Sequence, residues 1–171
     1  MIKKLLTICL CNLFMRNNIT RLLDQRKIKY TLYELPPEKL GAEVTAELLK
    51  VPLEIVFKTI VIKRAGRGKP ILAVIPGSNE VDLKNLAKVV DEKKVFLTNQ
   101  NEAEALTQLR VGGISPLALI NRGFQIVIDK SALDYPEIHI SGGQRGMNIR
   151  LPVSDLVKLT NASLAKIIRQ K

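Results

Sequence analysis

The chain has one histidine, two cysteines and no tryptophan, and aromatic residues make up only 4% of it. Each scarcity removes a class of chemistry. His139 with Cys9 and Cys11 offers neither the ligand set nor the spacing of a zinc site, and two thiols so close together build no disulfide framework. With the one histidine flanked by Ile138 and Ile140, no serine has an evident partner base, so a Ser/His/Asp arrangement is not legible. Acidic residues are also few: 16 Asp and Glu face 27 Lys and Arg, for a formal charge of +11. That surplus favours a polyanionic partner, with nucleic acid ahead of a membrane because no strongly basic amphipathic helix stands out.

No apolar run reaches the roughly 20 residues that a bilayer span requires. Residues 5–14 follow Lys3 and Lys4 and imitate the core of a secretory signal, but no small-x-small cleavage site comes after them. Met15 opens a segment that reads at once as a capped helix. Residues 1–14 are therefore expected to be a start-site extension or a poorly ordered appendage. The functional domain is then 15–171, acting in the cytoplasm, and without Lys3 and Lys4 its charge is 11 − 2 = +9.

Asn17 or Asn18 caps a helix with Ile19, Leu22 and Leu23 on one face, ending near Arg26. A strand over 30–35 stops at Pro36, and a helix follows over 42–49. The apolar stretch 59–62 and the run 70–76 read as a hairpin whose tip holds Gly66 and Gly68. Asp82 caps a helix over 83–90; a strand over 94–97 and a helix over 102–109 come next. Strands are expected at 125–129, 137–140 and 147–151, and closing helices at 154–159 and 162–169. Irregular interleaving with several short connections predicts a single mixed α+β domain, not a doubly wound parallel sheet.

Two glycine loops stand out, Val111-Gly112-Gly113-Ile114-Ser115-Pro116-Leu117 and Ser141-Gly142-Gly143-Gln144-Arg145-Gly146. Gly112 and Gly113 either form a tight turn or aim main-chain amides at a ligand, and the two roles are compatible. Lys58, after Val56 and Phe57, is either a solvated strand-edge lysine or a positioning group at a cavity mouth. Ser115 and Ser141 read better as hydrogen-bond donors than as nucleophiles. His139 lies on the face opposite Ile138 and Ile140, which is either core or solvent. Tyr33 is core packing, a pocket wall or a ribose contact. Lys63, Arg64, Arg67 and Lys69 on the hairpin, with Arg150 beyond the second loop, are candidate phosphate contacts, although the hairpin tip reads equally as a solvated turn.

Three segments together resemble the YbaK/EbsC family of aminoacyl-tRNA deacylases, relatives of the editing domain of bacterial prolyl-tRNA synthetases. They are Val56-Phe57-Lys58-Thr59-Ile60-Val61, the loop from Val111 to Leu117, and the stretch from Ile140 to Asn148, and the match in order and spacing extends across roughly residues 18–169. The resemblance implies a barrel-like mixed sheet surrounded by helices and a trans-acting activity on mischarged tRNA, with no metal or cofactor. Cys-tRNA(Pro) is the leading substrate, and its own thiol attacks the ester; an Ala-tRNA deacylase using water and a weakly active tRNA- or prolyl-tRNA synthetase-binding module are the alternatives. Carried onto this sequence, the catalytic positions are Lys58, Gly112 and Gly113. Substrate contacts fall on Tyr33, Phe57 and Thr59, on Ile114 and Ser115 of the first loop, and on Ser141, Gly142, Gly143, Arg145 and Asn148 around the second. Two positions depart from the family's habit. Ala118 stands where glycine is usual, and Asn148 where aspartate is usual, which keeps the hydrogen-bonding shape but loses a charge suited to the substrate's α-ammonium.

Overall fold

The computed structural model describes residues 16–169. The expected leader, with Cys9, Cys11 and Met15, lies outside the described residues. Helix α1 (Asn18–Gln25) starts at Asn17, whose side chain accepts from the amides of Ile19 and Thr20 while the Thr20 hydroxyl accepts from the Asn17 amide. This reciprocal cap satisfies donors that the first turn would otherwise leave orphaned. Asn17 Nδ2 also donates to Gly142 O at 2.8 Å, so the cap fastens the helix to the second glycine loop.

A three-stranded antiparallel sheet is ordered β1 (Thr31–Glu34), β7 (Met147–Pro152), β6 (Glu137–Ser141). Side chains alternate along each strand. Ile138, Ile140, Ile149 and Leu151 are wholly buried in the main core, while the register places Tyr33, His139, Ser141, Asn148 and Arg150 on the opposite face.

The larger sheet is ordered β4 (Val95–Leu97), β2 (Phe57–Arg64), β3 (Ile71–Pro76), β5 (Gln125–Asp129), β8 (Ser163–Ala165). Strands β2 and β3 form the antiparallel hairpin, whereas β3 with β5 and β5 with β8 run parallel. Every residue of β3 is buried, as suits a central strand covered on both faces. The two sheets touch where Val56, just before β2, bridges His139 of β6. The mixed α+β domain thus consists of two linked sheets with α2 (Ala42–Leu49), α3 (Leu83–Val89), α4 (Gln100–Thr107) and α5 (Val153–Thr160) around them.

One expected element takes another form. Residues 162–169 are extended, not helical: Asn161 closes α5 in the left-handed region, β8 joins β5, and Ile168 bridges Val81. The cause is long-range. Buried Asp129 accepts the Ile167 amide at 2.8 Å, pulling this segment along the sheet edge, and Ile167 fills the second core cluster. Helix α4 begins at Gln100, two residues before 102, because Asn99 and Glu102 form its capping box. Among the described residues, no helix is long and apolar enough to cross a membrane.

Candidate functional site

A cleft of about 480 Å³ opens beside the N-terminal half of β2, within the range of small-ligand sites. Phe57, Lys58 and Thr59 line it from β2, Gln100 and Ala103 from α4, Gly112 and Ile114 from the first glycine loop, and Ser141 and Asn148 from the smaller sheet. Segments distant in sequence therefore converge on one space, bringing together five of the ten expected substrate positions, Phe57, Thr59, Ile114, Ser141 and Asn148, while Tyr33, Ser115, Gly142, Gly143 and Arg145 lie outside its lining.

Lys58 is half-buried in this wall, and its Nζ donates to Gly77 O at 2.9 Å. Gly77 follows β3, and its amide donates to Val56 O at 2.7 Å. A Cβ there would stand 2.5 Å from the Ala42 Cβ, so only glycine lets α2 and the end of the hairpin close on each other. An ammonium has three donors, so those not used by Gly77 remain for a ligand.

The first loop separates the roles of its two glycines. Gly113 donates its amide to Arg110 O at 2.8 Å, closing a turn, and does not line the cleft. Gly112 lines the cleft in a left-handed conformation (φ +94°), and among the described residues its N–H donates to no protein atom. Of the two glycines, therefore, only Gly112 combines a place in the lining with an amide left unpaired, while Gly113 is a close-approach residue. Ser115 is completely buried outside the cleft lining, and among the described residues its hydroxyl has no partner.

In the second loop, Gly142 donates to Met147 O at 2.8 Å to close the turn between β6 and β7. Neither Gly142 nor Gly143 lines the cleft; Ser141 and Asn148 do. Arg145 also turns away from it. Its Nε donates to Val111 O at 2.8 Å, and its Nη2 lies 4.0 Å from Glu104. Glu104 in turn accepts the Val111 amide at 2.9 Å. Within its own helix Glu104 meets only Gln100, whose Nε2 donates to it at 3.2 Å, so no local signal marks its contacts with the two loops. Lys39 is another lining residue missed in the sequence; its Nζ donates to Gln100 Oε1 at 2.8 Å.

Beneath Asn148 lies His139, wholly buried, with Nδ1 2.8 Å from Asn148 Oδ1 and the Tyr33 ring 5.2 Å away. Burial pushes the imidazole below its ordinary value near 6.5; the Asn148 hydrogen bond opposes this, Arg150 reinforces it and Glu137 opposes it. A folded-state value below the unfolded one means that the stabilising contribution is full above about pH 6.5 and is lost as pH falls toward the folded value. Asn148→Asp sets a carboxylate against Nδ1 and raises the imidazole value. Urea midpoints measured at pH 7.5 and 5.5 should then differ less in this variant than in wild type; an equal drop in both would exonerate His139.

The nominated phosphate contacts do not form one free basic face. Lys63 is paired with Glu102, whose carboxyl it holds below the usual range. Arg64, with its side chain only 14% exposed, binds Glu92 at 2.7 Å, Lys69 O at 2.9 Å and Gln125. Arg150 Nε stands 3.2 Å from Glu137, an ion pair without hydrogen-bond geometry. Arg67 and Lys69 are exposed at the tip without an ion pair among the described residues, and none of the five lines the cleft.

A family model and a curated relative identify the family, and solved structures share the fold. The model for the aminoacyl-tRNA editing domain matches residues 36–159. A protein of Enterococcus faecalis called EbsC, proposed as a Cys-tRNA(Pro)/Cys-tRNA(Cys) deacylase, is 37% identical over 154 residues, covering 89% of this chain and 93% of its own. The prolyl-tRNA editing protein ProX of Acetoanaerobium sticklandii is 23% identical over 147 residues, with 82% and 87% covered. In fold, a crystal structure described as a proposed trans-editing enzyme for prolyl-tRNA synthetase superposes with a TM-score of 0.72 at 23% identity, covering 91% of this chain and 99% of that one. A hypothetical protein reaches 0.82 at 23% identity, with 90% and 100% covered.

Proposed function

We propose, since this chain belongs to the aminoacyl-tRNA editing domain family, that the mischarged tRNA it deacylates is Cys-tRNA(Pro) and that the cysteinyl thiol is the nucleophile. The observation that carries this reading is a cleft rich in donors and poor in bases. Lys58 and Gly112 line it, the Gly112 amide without a protein acceptor among the described residues, its lining carboxylate Glu38 is exposed, and the one histidine is sealed beneath Asn148. Such a lining suits a substrate that brings its own attacking group.

In the reaction, the substrate sulfur bonds to the ester carbonyl carbon, and the oxygen gains negative charge that the Gly112 amide stabilises. Collapse breaks the bond to the terminal ribose oxygen, which ends with the proton given up by the thiol. A cyclic thiolactone and free tRNA are released, and water later opens the thiolactone to cysteine. Holding sulfur and carbonyl in one conformer supplies the acceleration. Lys58 fixes the ester end or the phosphate of the terminal adenosine. Proline has no thiol, so correctly charged tRNA is spared. A place after prolyl-tRNA synthetase follows, because selection by size alone poorly rejects amino acids of similar volume.

Deacylation of Cys-, Ser-, Ala- and Pro-tRNA(Pro) tests the reading. Cys-tRNA(Pro) should be turned over at least about tenfold faster than Ser-tRNA(Pro), with Pro-tRNA(Pro) untouched. Equal rates for cysteine and serine would eliminate attack by the thiol, and a preference for Ala-tRNA would replace it with a water mechanism.

A further inference from the structure

We infer that Arg145 is a positioning residue that aims the Gly112 amide into the cleft. The inference rests on the reading of that cleft as an ester-carbonyl site. Val111 O and Gly112 N–H belong to the same peptide unit, and in a trans peptide these two groups point in opposite directions. Arg145 Nε donates to the oxygen at 2.8 Å, from a side chain that does not line the cleft, while Gly112 does line it. Fixing the oxygen end therefore fixes the direction of the N–H end.

The neighbouring contacts stiffen the same unit. Glu104 Oε1 accepts the Val111 amide at 2.9 Å, which holds the preceding peptide, and lies 4.0 Å from Arg145 Nη2, which keeps the guanidinium in place. The aliphatic part of Arg145 also lies over the loop: its Cγ is 3.6 Å from where a Cβ on Gly112 would stand. There is an electronic effect as well. A cationic donor on the carbonyl polarises the amide and makes its N–H a stronger donor, and this gain matters most when the acceptor is a developing oxyanion. The planar guanidinium can direct Nε at one carbonyl while Nη2 faces a carboxylate, a division of labour that an ammonium does not reproduce.

Arg145→Met keeps the aliphatic cover over Gly112 and removes only the donor; Arg145→Gln, polar and shorter, takes its place if the methionine variant does not fold. Steady-state deacylation of Cys-tRNA(Pro) should show kcat lowered by about tenfold or more with KM within about threefold, since the lost interaction belongs to the transition state. Arg145→Lys, which can still donate to Val111 O, should recover part of the loss, and the Gly112 amide nitrogen resonance should move in Arg145→Met while strand resonances stay in place. A folded methionine or glutamine variant with wild-type kcat, or with a defect confined to KM, would overturn the inference, as would an unmoved Gly112 resonance. If the wild-type protein deacylates no mischarged tRNA, the functional reading fails first, and the resonance alone still reports whether Arg145 governs this peptide.

Discussion

Lys58→Met should slow deacylation of Cys-tRNA(Pro) by about 100-fold, equivalent to about 2.7 kcal/mol of transition-state stabilisation, while the protein keeps its fold. The substitution keeps the aliphatic stem and deletes only the ammonium, which stands 2.9 Å from Gly77 O on a residue that lines the cleft. Gly77 O loses a donor at a buried residue, so a loss of stability of about 0.5–1.5 kcal/mol accompanies the change. The expected signature is therefore a drop in rate far larger than the small shift in denaturation midpoint explains. Lys58→Arg should recover little, because a planar fork presents its donors farther out and in a fixed plane. Turnover equal to wild type in the methionine variant would remove Lys58 from the site.

Gly113→Ala should lower the unfolding free energy by about 1–3 kcal/mol, the range for overpacked interiors, and should reduce activity at the same time. A Cβ at this buried position would stand 2.8 Å from Cα and C of Gln144 and 2.9 Å from the Arg145 nitrogen. All three are backbone atoms, so no rotamer change relieves the overlap and the two glycine loops must move apart. That movement draws Arg145 off Val111, and with it the orientation of Gly112. Gly66→Ala is the matched control, since a Cβ there meets nothing within 4 Å; it should change stability by less than about 0.5 kcal/mol. Urea denaturation of both variants measures the contrast, and equal stability would contradict the interlocking of the loops.

What could be read from the sequence was mostly local. Helix α1 announces itself through Asn17, α2 through its apolar spacing, α3 through Asp82, and the β2–β3 hairpin through continuous apolar strands around Gly66 and Gly68. Each of the three motifs also contributes to the lining of the cleft, through Lys58, Gly112 and Asn148 among others. The misread segment shows the limit. Leu164, Ile167 and Ile168 recur at helical spacing, yet the segment is held extended by Asp129, which lies 38 residues before Ile167. The basic face misled for the same reason: the hairpin lacks acids in sequence, but Glu92 and Glu102 reach Arg64 and Lys63 from other elements. Spacing likewise left the two adjacent glycines equivalent, whereas Arg110 O on one side and the cleft on the other assign them different tasks.

Strand β8 gives the molecule an order of assembly. Its three residues cover the outer edge of β5, and parallel neighbours cannot be joined by a tight turn; the chain must first complete β6, β7 and α5 before it can return. As the polypeptide leaves the ribosome, β5 can pair with β3 while its other edge, along the buried Val127 and Ile128, stays uncovered until residues 163–165 emerge. An open apolar edge recruits strands from other chains. The exposure of that edge therefore lasts until β8 docks, and the carboxylate of Asp129, by accepting the Ile167 amide, holds the segment that closes it.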